Sequence, residues 1–178
     1  MIDPGSVHLP TGLLLLLAAL VAERLLELVV ARRNARWAAA RGGVEYGQGH
    51  YPVMVALHVG LVVGMLAEVA LVPRAFTPAL GWPALIAVVL ANVVRGWCVH
   101  TLGPRWNTRV IVVPGLPLVT DGPYRWTRHP NYLIVIVEGL ALPLVYSAWV
   151  TALVFTAANA ALLTVRMRLE DRVLHPAT

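Results

Sequence analysis

Long apolar runs alternate with short polar connections along the whole chain. A helix that crosses the hydrocarbon core of a bilayer needs about 20 mostly apolar residues. Five stretches approach that requirement: Leu9–Val30, Tyr51–Val72, Gly81–His100, Asn131–Tyr146 and Ala148–Val165. The last two are short, and only residues around Ser147 separate them. Pro143 and the small residues near Ser147 favour a tight helical hairpin over one bent segment. The pattern predicts an all-α integral membrane protein of about five transmembrane helices ending in a C-terminal helical hairpin. One connection breaks the rhythm. Thr101–Pro130 holds five of the thirteen prolines, at 104, 114, 117, 123 and 130, together with Gly103, Gly115 and Gly122. Proline fixes φ and glycine opens unusual backbone angles, so this stretch reads as a shaped loop, with Val110–Val113 suited to a short extended piece. A long ordered loop is where a site is expected. The chain reads as a single domain over 1–178: a three-helix part, 1–102, then the loop, hairpin and tail, 103–178.

Composition sharpens this picture. Of 178 residues 58% are hydrophobic and 13% charged, and the mean hydropathy is +0.72, far from the balance of a soluble domain. All fourteen basic residues are arginine, against nine acidic residues. Outside the apolar runs, eleven arginines fall in connections that alternation puts on one side and one, Arg74, on the other. Positive charge marks the cytoplasmic side, so the expected topology is multi-pass in the inner (cytoplasmic) membrane, N-terminus outside and C-terminus cytoplasmic. No basic residue precedes Arg24, which is unlike a secretory signal. The basic excess therefore reads as topology, and no nucleic-acid partner is expected.

Several chemistries lose their support. Cys98 is the only cysteine, so there is neither an internal disulfide nor a CxxC site. Neither phosphate-cradling motif is present. There is no HExxH, His50 and His58 are eight apart, and no metal is expected. Ser6 and Ser147, the only serines, do not sit in a nucleophile elbow.

Three constellations remain. Gly122-Pro123-Tyr124-Arg125-Trp126-Thr127-Arg128-His129-Pro130-Asn131-Tyr132 leads into the fourth run. Arg, Trp and Tyr also favour headgroup depth for anchoring alone, but the first turn of a helix offers free N–H donors to a polar ligand, and His129 and Tyr132 stand beside it. Next comes Arg166-Met167-Arg168-Leu169-Glu170-Asp171-Arg172. Arg166 and Glu170 share a helix face, which suits either an exposed ion pair or a site. The third set lies within the apolar runs: Glu23, Arg24, Glu27, His58, Glu68 and Glu138. Charge at that depth is costly and is usually paired or functional. Arg24 and Glu27 are spaced to pair, and Glu68 is close enough to a run's end to reach water. Glu138 is the best placed to line a cavity, with Arg95 and Asn92 as candidate partners.

The string Leu118-Val119-Thr120-Asp121-Gly122-Pro123-Tyr124, then Arg128-His129-Pro130-Asn131-Tyr132, then an apolar hairpin and an acidic pair, resembles the isoprenylcysteine carboxyl methyltransferase family over Trp106–Leu174. The G-x-Y…R-H-P-x-Y block followed by R-x-x-x-E-[ED] is specific. The run Arg105–Arg109 and the segment Gly43–Tyr51 resemble a bacterial branch, associated with type III polyketide synthases, that methylates alkylpyrones or alkylresorcinols. The resemblance implies S-adenosylmethionine as cofactor at the cytoplasmic face. It implies cofactor contacts at Leu116, Pro117, Leu118 and Val119, at Tyr124, at His129, Pro130, Asn131 and Tyr132, and at Glu170. Asp171 joins the cofactor set, although many members carry a second glutamate there. The substrate-binding arginine of the family matches Arg166, the expected catalytic residue, and Glu138 is expected to contact the acceptor. The chain ends at Thr178 without the tail of eukaryotic members, so the resemblance is expected to reach the cofactor more than a prenylcysteine acceptor.

The function expected is methyl transfer from S-adenosylmethionine to a carboxylate, enol or phenol oxygen of a lipophilic acceptor held at the bilayer. Phospholipid N-methylation ranks second, because an amine would not favour Arg166 beside it. A small transporter or membrane scaffold is the alternative outside enzymes.

Overall fold

The computed structural model describes residues 9–174; Ser6 and Thr178 lie outside the described residues. Five helices form: α1 (Thr11–Ala39), α2 (His50–Leu71), α3 (Pro78–Leu102), α4 (Pro130–Leu144) and α5 (Trp149–Leu174). Of these, α2, α3 and α5 are long and apolar enough to cross a membrane. α1 is longer still, with 29 residues, but carries Glu23, Arg24 and Glu27 near its middle, and α4 is a shorter apolar helix of 15 residues.

α1 runs well past the expected end at Val30, so Arg32, Arg33 and Arg36 stand on its last turns and not in a loop. Alanine and arginine are strong helix formers, and nothing breaks the run until Gly42, which takes a positive φ of 74°. The hairpin forms as expected. α4 stops at Leu144, Ser147 adopts φ 55°, and the Ala148 N–H closes the turn onto the Pro143 carbonyl at 3.0 Å. Gly139 lets α4 and α5 approach, since a side chain there would strike the Phe155 ring.

Glu68 corrects an expectation. It does not reach water but is buried, accepting from Arg74 at 2.8 Å, from the Val150 and Thr151 N–H groups at 3.2 and 2.8 Å, and from the Thr151 hydroxyl at 2.8 Å. The first N–H groups of a helix lack intrahelical partners, and α5 carries no acid of its own in its first turn. A carboxylate from α2 caps it instead.

α3, α4 and α5 pack in sequence, and α2 lies against α5. Their shared core holds Leu13 and Leu17 of α1, Leu61 and Met65 of α2, Val88 of α3, Ala141 and Leu142 of α4, and Phe155 of α5. The outward faces are almost continuous apolar surface, including Leu15, Leu26, Val59, Val93 and Val154. Such a surface is a liability in water and is natural against lipid tails.

The connections are tied together at one end. β1 (Val44–Tyr46), between α1 and α2, pairs antiparallel with β2 (Val110–Val112), between α3 and α4, placing Val44 opposite Val112 and Tyr46 opposite Val110. β2 falls where the extended piece was expected, whereas β1 gave no signal. Tight 3₁₀ turns at Gly103–Arg105 and Gly122–Arg125 shape the rest of the loop. Asn34 donates to the Trp106 carbonyl at 2.7 Å and Asn107 to the Ala31 carbonyl at 2.9 Å, fixing the loop to α1. The Arg166 guanidinium of α5 reaches the Thr108 carbonyl at 2.9 Å. The arginine-bearing connections thus share one end of the bundle, except that of Arg74, which reaches the Ser147 carbonyl by the start of α5.

Candidate functional site

A cavity of about 730 Å³ runs from that end down between the helices. Every residue singled out for the site lines it: Leu116, Pro117, Leu118, Val119, Tyr124, His129, Pro130, Asn131, Tyr132, Glu138, Arg166, Glu170 and Asp171. Four separate stretches of chain converge there.

Local folding explains the placement. Gly122 takes φ 54° with Thr101 packed where a Cβ would stand, so the turn into Tyr124 lies flush on α3. Tyr124 packs against the buried Ala91, Cys98 and Ile134. Burial, with Cys98 as its hydrogen-bond partner, pushes its phenol far above the ordinary range, so it stays neutral. Arg105 holds the 116–119 segment by donating to the Pro117 carbonyl at 2.5 Å, leaving Leu116 and Leu118 exposed at the mouth. Pro130 opens α4, and the N–H groups of Tyr132 and Leu133 close onto the His129 carbonyl at 3.1 and 3.4 Å. The free first-turn donors expected from sequence thus shrink to that of Asn131. The Asn131 side-chain oxygen is buried without a partner.

At the mouth, His129 lies between two carboxylates: Nδ1 is 3.3 Å from Glu170 and Nε2 is 3.1 Å from Asp171. Its ring stacks on Tyr132 at 5.4 Å, and the Tyr132 hydroxyl donates to Glu170. The hydrogen bond to Glu170 raises the His129 pKa; burial opposes this, and Asp171 adds to it. Arg166 and Glu170 do not form the exposed bridge that their spacing allows. Arg166 is 5% exposed. It donates to the Thr108 carbonyl at 2.9 Å, touches the Met54 sulfur at 2.9 Å and lies 5.7 Å from the Tyr132 ring centre, while its Nε has no partner.

Deeper in the bundle the intramembrane charges meet. Arg24 and Glu27 of α1 pair as spaced, Arg24 also reaches Glu138 of α4 at 3.1 Å, and Glu138 pairs with Arg95 of α3. Arg95 Nε lies 3.6 Å from Glu27, closing a ring of two arginines and two glutamates. Asn92, the other candidate partner, bonds within its own helix to the Val88 carbonyl at 3.0 Å and stands outside the ring. Glu23 lies 3.7 Å from Arg24 on the ring's edge.

Some lining residues escaped the sequence reading. Tyr51 and Arg109 stack at 4.6 Å, with Arg109 also 3.2 Å from Glu45, beside Arg166. Asn159, the only asparagine within the apolar part of α5, also lines the cavity. A lone amide in a spanning run was a usable signal for it. The Tyr51–Arg109 contact had none, because it depends on the pairing of two distant loops.

Residues 84–176, just over half of the chain, match the isoprenylcysteine carboxyl methyltransferase (ICMT) family. The chain is 43% identical over 161 residues to the uncharacterized protein YpbQ of Bacillus subtilis, covering 90% of this chain and 95% of the relative. It is 24% identical over 160 residues to an uncharacterized protein of Haemophilus influenzae, covering 88% and 91%. No solved structure gives a significant match.

Proposed function

The chain belongs to the isoprenylcysteine carboxyl methyltransferase family, and from that premise we propose that it is a multi-pass membrane O-methyltransferase using S-adenosylmethionine. The acceptor is lipophilic and carries an acidic oxygen, of the alkylpyrone or alkylresorcinol kind found in the bacterial branch it resembles. One observation carries this reading: the family's cofactor motif and Arg166 converge on one cavity of about 730 Å³.

The residues fit the cofactor. Two carboxylates face a single imidazole at the mouth, a surplus of acid suited to a cationic ligand. The unpartnered Asn131 oxygen adds an acceptor on the same wall. Glu170 and Asp171 would meet the ligand's ammonium, Tyr124 and the 116–119 segment would hold its ring system, and His129 and Tyr132 would position Glu170. When bound, S-adenosylmethionine supplies an electrophilic methyl group on a sulfonium.

Arg166 does the rest from the acceptor side. Its guanidinium is fixed by the Thr108 carbonyl and the Tyr132 face, so it is pre-organised, and a buried guanidinium favours an ionised oxygen over a neutral one. An acidic enol or carboxylate arrives ionised. A resorcinol hydroxyl, with an ordinary pKa of about 10, would be drawn down by the same charge. An amine acceptor would meet repulsion, which disfavours N-methylation. Topology follows the arginine-rich end, which we assign to the cytoplasm of the inner membrane.

Purified protein in detergent, incubated with methyl-tritiated S-adenosylmethionine and a long-chain 4-hydroxy-2-pyrone, should move label into the organic extract, with a loss of about 100-fold or more in Arg166→Ala. No label in pyrone, resorcinol or prenylcysteine acceptors would contradict the reading.

A further inference from the structure

Two arginines stand at the acceptor end of the cavity, and the methyl-transfer reading uses only Arg166. Arg109 reaches the same place from another stretch of chain. Arg166 of α5 donates to the Thr108 carbonyl at 2.9 Å and touches the Met54 sulfur of α2 at 2.9 Å. Arg109 is the residue after Thr108, and its guanidinium lies 4.6 Å from the ring centre of Tyr51, three residues before Met54 on α2. Residues three apart share a helix face. Both guanidiniums are therefore bracketed by the same two pieces of backbone and stand side by side along one wall.

Tyr51, Arg109, Val110 and Arg166 line the main cavity and also a narrow recess of about 10 Å³ that adjoins it. That is room for one water-sized group, an oxygen atom and not a ring. Two residues around the recess carry a buried polar atom without a partner, His50 Nδ1 and Arg166 Nε. Glu45 is the one carboxylate there among the described residues, against two guanidiniums. It meets Arg109 through Nη1 at 3.2 Å, which leaves Arg109 Nε and Nη2 as further donors. Glu170, the next acid along α5, is held by His129 and Tyr132. Positive charge is in surplus around the recess. The β1–β2 ladder already ties the two connections, and a partly exposed pair such as Arg109–Glu45 adds little to it.

Resting on the acceptor reading above, we propose that Arg109 and Arg166 form a two-cation seat for an acceptor ring bearing two oxygens, and that Arg109 holds the oxygen that is not methylated. The ring lies in the main cavity with one oxygen at Arg166. The other enters the recess and accepts from Arg109. A 1,3-dioxygenated ring meets this description, whereas a lone phenol or a single carboxylate leaves Arg109 unused. Stacking on Tyr51 fixes the guanidinium plane, so little freedom is lost when it bonds. Arg109 is thus a specificity-determining residue: it selects acceptors by their second oxygen and takes no part in the bond that forms.

The test compares two probes by equilibrium binding to the full-length protein in detergent, without cofactor. A 5-alkylresorcinol and a 3-alkylphenol with the same saturated chain differ by one hydroxyl. The wild type should prefer the resorcinol about tenfold, the effect of one hydrogen bond to a charged group. Arg109→Gln should lose that preference and keep its affinity for the phenol. Glu45→Gln breaks the same ion pair but leaves the guanidinium in place, so it should keep the preference. An Arg109 that only tied the loops together would make the two substitutions act alike. Thermal unfolding reports that each variant is folded. Equal binding of both probes by the wild type, a preference that survives Arg109→Gln, or its loss in Glu45→Gln overturns the seat. Binding of neither probe overturns the seat together with the ring-acceptor reading. S-adenosylmethionine binding to the wild type, measured separately, decides the methyltransferase reading, because probe preference is read without it.

Discussion

Two charged clusters line the same cavity and are built on opposite plans. The deep one, Arg24, Glu27, Arg95 and Glu138, closes on itself with as many positive as negative groups. The one at the mouth is open: Glu170 and Asp171 share one imidazole, and Arg166 is turned away to a backbone carbonyl and an aromatic face. In a closed ring the members' charges are spent chiefly on one another, so the ring holds α1, α3 and α4 in place, with Glu23 at its edge. In an open cluster the surplus charge is free to select a ligand of opposite sign. Spacing along the chain did not distinguish them, since Arg24 with Glu27 and Arg166 with Glu170 are both legitimate helical pairs. Only the first pair forms.

The comparison breaks first at the ring. Arg95→Leu removes one member and leaves the glutamates that faced it buried and under-compensated, at a cost of about 3–5 kcal/mol. Removing Glu138 as well, in Arg95→Leu/Glu138→Leu, leaves Arg24 and Glu27 as a matched pair and should recover most of that loss. Thermal unfolding in detergent reads both. A double variant as unstable as the single would mean that the ring is not a balanced unit.

The open cluster is sharpened by pH, with a smaller effect. The hydrogen bond to Glu170 holds the His129 pKa above the ordinary value of about 6.5, against the opposing effect of burial. Its stabilising contribution is complete below the unfolded-state pKa and fades as pH rises through the higher folded value. Over the same interval the imidazolium stops competing for Glu170, so affinity for a cationic cofactor should rise while thermal stability falls. His129→Gln should flatten both trends. Parallel movement of stability and affinity would show that His129 does not share Glu170 with the ligand.

Much of this was legible before any coordinates. The apolar runs located the helices, the proline and glycine spacing marked the shaped loop, and the motif residues gathered as a set. Arg95 was foreseeable as a partner of Glu138 because unpaired charge at that depth is prohibitive, whereas Arg24, expected to pair with Glu27 alone, reaches Glu138 as well, and Asn92 does not. Most of the misses share a cause, contact between distant parts of the chain. β1 and the Tyr51–Arg109 contact depend on two loops meeting across the bundle, which local pattern does not encode. Glu68 looked solvent-bound because its true partners, the first N–H groups of α5, lie more than eighty residues away. α1 outran its hydrophobic stretch because arginine extends a helix as readily as leucine does.

The most direct test of the open cluster is isothermal titration of S-adenosylmethionine into the detergent-purified protein and its Glu170→Ala variant. The wild type should bind, and the variant should bind at least about tenfold more weakly, the effect of roughly 1.4 kcal/mol, while still unfolding cooperatively at a somewhat lower temperature, because the His129 and Tyr132 bonds to Glu170 are gone. No heat with the wild type, or equal affinity in the two proteins, would contradict the assignment of this cavity mouth to the cofactor.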